Sequence, residues 1–134
     1  MSDGSVKIVI PLVPPSVNAY VRHYTTGRHH LTAEAVSFRD GLCLIARTAK
    51  RLDPSVQRFD VDIRVYLAER LWIQVPDVDN LPKLILDGLK LGGVFVDDRN
   101  VSDMAIRRRR AASKRDEKTL IVIRAAVDEQ EEIY

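Results

Sequence analysis

Five aspartates crowd the middle of this 134-residue chain: Asp77, Asp79, Asp87, Asp97 and Asp98. Two of them stand in the run Pro76-Asp77-Val78-Asp79-Asn80-Leu81-Pro82-Lys83, and Val96-Asp97-Asp98 follows beyond the next helical stretch. Asp77 and Asp79 are i and i+2. In an extended segment they project to the same side, just ahead of a helix whose N-terminus favours negative charge. If Val94–Asp98 is a strand, Val94, Val96 and Asp98 share one face and Phe95 and Asp97 the other, so only one of the paired aspartates joins the first cluster. Three carboxylates brought together repel and raise the pKa of at least one. A divalent cation removes that cost, and carboxylate oxygens suit a hard ion such as Mg²⁺ or Mn²⁺. Such an ion can polarise a phosphodiester, orient the attacking water and lower its pKa. Lys83 follows Asp79 by four residues and lies over the same helical turn. It either balances the carboxylates or contacts a phosphate as charge develops. Each acid also has a plain structural reading: Asp79 or Asn80 as an N-cap, Asp97–Asn100 as a turn, Lys83 and Asp87 as an exposed ion pair.

The charges around this centre are basic. Lys and Arg number 21 and Asp and Glu 19, a net charge of only +2. Four of the acids, Asp128, Glu129, Glu131 and Glu132, fall in the last seven residues, leaving 21 basic against 15 acidic residues in the body. Residues 128–134 read as a disordered acidic tail on a single domain, 1–134. Arg99 to Arg115 holds seven basic residues and one acid, Asp103. Arg22, His23, Arg28, His29 and His30 form a second basic stretch beside Tyr20 and Tyr24. Basic flanks around an acidic centre suit an enzyme that holds a polyanion and cuts it with a carboxylate-bound metal. The bland alternative is an ordinary solvated surface.

The elements that must position these residues follow from periodicity. Val6–Val13 reads as a strand stopped by Pro14-Pro15. Ser16–Leu31 is a long polar loop, basic enough for Arg22, His23 and Arg28 to meet phosphates. Thr32 is the expected N-cap of a helix reaching about Arg51, with Ala35, Phe38, Leu42, Ile45 and Ala49 inward. Asp53-Pro54 ends it. Phe59–Leu67 alternates cleanly as a half-buried strand, with Asp60, Asp62, Arg64 and Tyr66 outward. A second helix spans about Asn80–Lys90, with Leu81, Leu84, Ile85 and Leu89 inward and Pro82 tolerated in its first turn. Gly92-Gly93 stops it, and Val94–Val96 reads as a short strand. Met104–Arg110 and Lys118–Val127 are two further strands joined by a polar turn. The order β-α-β-α-β-β-β implies an α+β domain with a mixed sheet and helices on one face. On the strand ending in Arg107-Arg108-Arg109-Arg110, alternate arginines point to opposite faces. At most two of them, Arg107 and Arg109 for instance, face one DNA surface.

Other chemistries fit poorly. A calcium loop needs different residues where Leu81 and Pro82 stand. There is no Gly-x-x-x-x-Gly-Lys phosphate loop. The single cysteine, Cys43, sits mid-helix as a core residue and excludes a disulfide framework within the chain. His23, His29 and His30 lack the spacing and partners of a zinc site. Trp72 fills a core or interface, with base stacking as the alternative. No apolar run reaches the length of a membrane span and no signal segment is evident, so the cytoplasm, beside the nucleoid, is expected.

At the acidic residues the sequence resembles the RusA family of Holliday-junction resolvases. The shared motifs are Asp77-Val78-Asp79-Asn80-Leu81-Pro82-Lys83 opening a helix and Gly93-Val94-Phe95-Val96-Asp97-Asp98 after it. In the N-terminal half, Pro14-Pro15-Ser16-Val17-Asn18, Tyr20, Arg22-His23, Gly27-Arg28 and Phe38-Arg39-Asp40 match as well. The resemblance implies a homodimeric, Mg²⁺-dependent endonuclease that nicks four-way DNA junctions symmetrically. It makes Asp77, Asp79 and Asp98 the catalytic metal ligands and Lys83 the catalytic lysine. Asn18, Arg22, His23, Arg28, Lys83, Arg107 and Arg109 become the expected DNA contacts. The four-arginine run, Pro82 and the acidic tail depart from the family pattern. Two rival readings are a non-catalytic junction-binding module and a metal-dependent phosphatase. A regulatory DNA-binding protein would want a helix-turn-helix, and the two helices here are separated by a strand.

Overall fold

The computed structural model describes residues 5–14, 21–23, 29–31, 33–49, 51–53, 55–69 and 81–126, with the backbone alone at 21–23, 29–31, 81, 82 and 98. Its elements are β1 (Val6–Ile10), β2 (Val21–His23), β3 (His29–Leu31), α1 (Ala33–Thr48), β4 (Phe59–Leu67), α2 (Leu81–Leu91), β5 (Val101–Arg110) and β6 (Lys118–Ala125). Four strands make one sheet in the order β1-β6-β4-β5. β4 and β5 are parallel, joined through α2, and the other two pairings are antiparallel. The result is the expected α+β domain with a mixed sheet.

The alternation seen in the sequence is the alternation of burial. Phe59, Val61, Ile63, Val65 and Leu67 are buried on β4, while the residues between them are half-buried. Val6, Ile8 and Ile10 on β1, and Ile121 and Ile123 on β6, extend the same apolar face. α1 covers it with Ala35, Phe38, Leu42 and Ala46, and α2 with Leu84, Ile85 and Leu89. Each such side chain withdrawn from water stabilises the fold by about 1.5–3 kcal/mol. Cys43 is a buried free thiol within α1, as its setting implied. Thr119 is the one buried polar side chain among the described residues. Its hydroxyl donates to the Leu12 carbonyl at 2.8 Å, tying the segment after β1 to β6.

Two elements differ from the sequence reading. The segment read as a long loop contains a two-stranded antiparallel ribbon, β2–β3, pairing Arg22 with His30 and His23 with His29. Three-residue strands carry too little periodicity to register in sequence. Val94–Val96 is not a strand. The N-cap expected at Thr32 and the helix stop at Pro54 lie outside the described residues. α1 itself ends at Thr48, short of the expected stop, and Asp53 accepts the Ser55 N–H at 2.9 Å in a separate turn.

Candidate active site and nucleic-acid face

α2 lies between the two acidic motifs in the chain, and its direction is fixed by its packing on α1. Gly88 lies against Leu42 and Gly92 against Ala46 and Cys43, so a step of four residues on one helix matches four on the other. The helices therefore run the same way. The glycines permit this approach: a Cβ on Gly92 would sit 2.5 Å from that of Ala46. Beyond α1, the Leu52 N–H bonds the Val94 carbonyl at 3.2 Å. The C-terminal end of α2 thus lies by the start of β4, and its first turn points toward the other end of the sheet.

The end of α2 is a glycine-terminated cap. The Gly93 N–H bonds the Lys90 carbonyl at 3.0 Å and the Val94 N–H bonds the Leu89 carbonyl at 3.1 Å. Gly93 has φ +80°, the left-handed conformation that a Schellman cap requires. Val94 and Phe95 then turn inward, at 1% and 7% exposure, with the Phe95 ring 4.9 Å from that of Phe59. Val96 is 90% exposed. This cap is why no strand forms here. The N–H of Val94 serves the helix and its carbonyl serves Leu52, leaving none of its backbone for a ladder.

The parity argument that separated Asp97 from Asp98 therefore falls, because it needed a strand. The Asp97 carboxyl is engaged within the turn. Asp97 accepts from the Arg99 backbone N–H at 2.9 Å and from its guanidinium at 2.8 and 2.7 Å. The guanidinium hydrogen bond, with the backbone one behind it, holds the Asp97 carboxyl below its ordinary range. Asp98 follows as the first residue of a short 3₁₀ turn, Asp98–Asn100, that leads into β5. An open cavity of about 600 Å³ adjoins Asp97, bounded among others by Arg51, Phe59, Phe95 and Asn100.

Lys83 stands at the opposite end of α2. Its side chain is 84% exposed and its ammonium lies 3.7 Å from the Asp87 carboxylate, the i,i+4 pair weighed in the sequence. Eight residues separate Lys83 from Leu91, a rise of about 12 Å along the helix. The described residues therefore do not bring Lys83 beside Asp97 and the turn bearing Asp98. Among them, no three His, Cys, Asp or Glu side chains converge as a metal site. Asp77, Asp79, Trp72, Asn18, Arg28, Tyr20 and the acidic tail lie outside the described residues. Arg22 and His23 fall on β2, where the backbone alone is described.

The arginine run divides as strand alternation requires. In parallel register Arg64 pairs with Arg107 and Tyr66 with Arg109, while Val65 pairs with Arg108 and Leu67 with Arg110. Arg107 and Arg109 thus share the sheet face that the helices leave uncovered. They are not equivalent. Arg107 donates to Asp62 at 2.9 Å, and Arg64 stands 3.5 Å from the same carboxylate. Arg109 donates to the Arg108 carbonyl at 2.8 Å. On the other face Arg110 pairs with Glu69 at 2.8 Å. The sequence reading counted Lys114 and Arg115 in its basic stretch but missed Arg64 and Lys118 as members of this cationic region. Arg64 was legible as outward-facing, but which strand stood beside it was not.

The comparisons with known proteins point one way. The family described as endodeoxyribonuclease RusA matches residues 11–124, which include both acidic motifs. The crossover junction endodeoxyribonuclease RusA of Escherichia coli K12 is 32% identical over 98 residues, covering 69% of this chain and 74% of that protein. The protein of the same name from Shigella sonnei shares the same identity and coverage. The enzyme of Enterobacteria phage 82 is 31% identical over 98 residues, with the same coverage.

Proposed function

The chain belongs to the RusA family of endodeoxyribonucleases, and from that premise we propose that it resolves Holliday junctions by paired, symmetric nicks that depend on Mg²⁺. The observation that carries the reading is a family match running through both the Asp77–Lys83 and the Gly93–Asp98 motifs. Asp77, Asp79 and Asp98 would hold Mg²⁺, or Mn²⁺, through carboxylate oxygens, the donor type such ions favour. When bound, the ion supplies polarisation of the phosphodiester and activation of the attacking water.

The chain's own residues bind and orient. The Schellman cap and the Arg99 bonds hold the Gly93–Asn100 turn in one shape, so Asp98 enters β5 from a fixed position. Asn18, Arg22, His23, Arg28, Lys83, Arg107 and Arg109 take the phosphates of the junction arms. Lys83, set apart from Asp98 by the length of α2, is given the phosphate contact of its two readings. A homodimer matches the two-fold symmetry of a four-way junction and cuts two strands of like polarity. No described helix is long and apolar enough to cross a membrane, and the enzyme is assigned to the cytoplasm, where it meets the nucleoid.

The test is a labelled four-way junction incubated with purified protein and Mg²⁺. Symmetric nicks leaving 5′-phosphate and 3′-hydroxyl ends are expected, with Asp79→Asn binding the junction without cutting it. Junction binding without nicks by the wild type would leave only the non-catalytic module. Hydrolysis of small phosphate esters in place of DNA would leave the phosphatase.

A further inference from the structure

The open face of the sheet mixes acids with Arg124 and Lys7 at one end of its strands and carries cations without acids on the strands at the other. At the N-terminal end of β4 stand Asp60 and Asp62, with Asp103 beside Asp60 on β5. One oxygen of Asp60 is buried without a hydrogen-bond partner among the described residues. At the C-terminal end stand Tyr66, Arg109 and Lys118, with the Lys118 ammonium 5.0 Å above the Tyr66 ring. From Arg107 to Lys118 the chain carries seven basic residues and two acidic ones.

The turn between β5 and β6 concentrates this charge. A 3₁₀ turn, Lys114–Asp116, presents Lys114 and Arg115 as exposed side chains. The acids at this end are already engaged. Asp116 accepts from the Ser113 hydroxyl at 3.0 Å, Glu117 from the Ala68 N–H at 3.2 Å and Glu69 from Arg110 at 2.8 Å. The first two bonds, with Thr119 on the Leu12 carbonyl, hold the turn in place. Lys114 and Arg115 also border an open groove of about 760 Å³, lined besides by Pro11, Leu12, Val13, Ser113 and Glu117, whose carboxylate is taken by the Ala68 N–H. A fixed turn with outward cations over a groove offers a phosphate backbone a place to lie, because the side chains need little ordering when it binds.

We propose that Lys114 and Arg115, with Arg109 and Lys118 beside them, form a second DNA contact that grips the backbone of one junction arm. The arm enters over the C-terminal ends of β4 and β5, where Arg109 and Lys118 flank Tyr66. The proposal rests on the reading of DNA as substrate and adds a contact surface that neither motif carries.

Two matched variants test it. Lys114→Gln/Arg115→Gln removes two charges at the turn. Lys7→Gln/Arg124→Gln removes two exposed charges from the other end of the same face and leaves the same net charge. Affinity for a labelled four-way junction without divalent metal is measured across a salt series. Each lost phosphate contact lowers the slope of log affinity against log salt by about 0.9, so the turn pair should lose about 1.8. Its affinity should weaken roughly tenfold at moderate salt, while its cleavage rate at saturating protein stays at the parent value. The control pair should keep the parent slope. Equal losses in both pairs, or none in either, would overturn the clamp. Wild-type binding indifferent to salt would sink the clamp and the DNA reading together. Wild-type binding that is steeply salt-dependent without cleavage, with slope loss confined to the turn pair, supports the clamp and fails the nuclease.

Discussion

Gly92→Ala is the sharpest single probe of how this fold delivers Asp98. A Cβ at Gly92 would lie 2.5 Å from the Ala46 Cβ, 3.1 Å from the Cys43 carbonyl oxygen and 3.3 Å from that of Gly88. None of these atoms is the far end of a flexible side chain, so α1 and α2 must part by roughly 1 Å. Overpacking of this kind costs about 1–3 kcal/mol. A chain of this length unfolds with an entropy near 0.28 kcal/mol per kelvin, from ~2.1 cal/mol/K per residue, which converts that cost to a fall of about 4–11 °C in Tm. Calorimetry or circular dichroism reads it directly. Gly41→Ala is the control, because its Cβ would meet only the Leu12 Cδ1 at 2.8 Å, a methyl that can swing aside. It also gains up to ~1 kcal/mol of helix propensity, and should melt within about 3 °C of the parent. Because the turn bearing Asp98 hangs from the end of α2, Gly92→Ala should also nick junctions more slowly well below its melting temperature. A Gly92→Ala protein melting within about 1 °C of the parent would refute the close helix contact and the account of the turn built on it.

Four further outcomes follow. Thr119→Val keeps the buried shape but loses the hydroxyl bond to Leu12, and denaturant titration should show a loss of about 1 kcal/mol. Arg99→Gln should let the Asp97 carboxyl titrate upward toward its ordinary range, read by carbon NMR. In the wild type the pairing is present at neutral pH, above the unfolded pKa, and is lost as pH falls through the lowered folded value. Asp62→Asn releases the carboxylate that holds Arg107 and Arg64, and should tighten DNA binding and steepen its salt dependence. Since α2 separates Lys83 from the turn of Asp98, a dimer should share the two between protomers. Inactive Lys83→Ala and Asp98→Asn proteins, once mixed and exchanged, should then regain roughly a quarter of wild-type nicking, one intact site in each mixed dimer. No regained cleavage would place both residues in one chain's site.

The long elements were legible because a local pattern matched a tertiary one. Phe59–Leu67 alternates in sequence and in burial without exception. The register of Arg107 and Arg109 with Arg64 and Tyr66 was not legible, since no residue of β5 encodes its neighbour. Val94–Val96 misled for a related reason. Three apolar residues after two glycines read as a strand by composition, but the Val94 N–H serves the cap of α2 and its carbonyl accepts from Leu52 beyond α1. The strand-parity reason for preferring Asp98 to Asp97 does not survive, because Val94–Val96 forms no strand. Strand parity gave way to a hydrogen-bonded pair, Asp97 with Arg99, two positions apart in a turn.

By itself, the sequence determined the two apolar helices, the alternating central strand, the carboxylate motifs and the family they belong to. All of these are set by residue type and short spacing, which the chain carries wherever it folds. Only the tertiary structure decided which charges are already engaged. Asp62 holds Arg107 and Glu69 holds Arg110, while Lys114 and Arg115 point outward from an anchored turn. The physical reason is range. Propensity and periodicity act over a few residues, whereas ion pairs and strand register join groups some 45 positions apart, such as Asp62 and Arg107, and exist only once the sheet has closed.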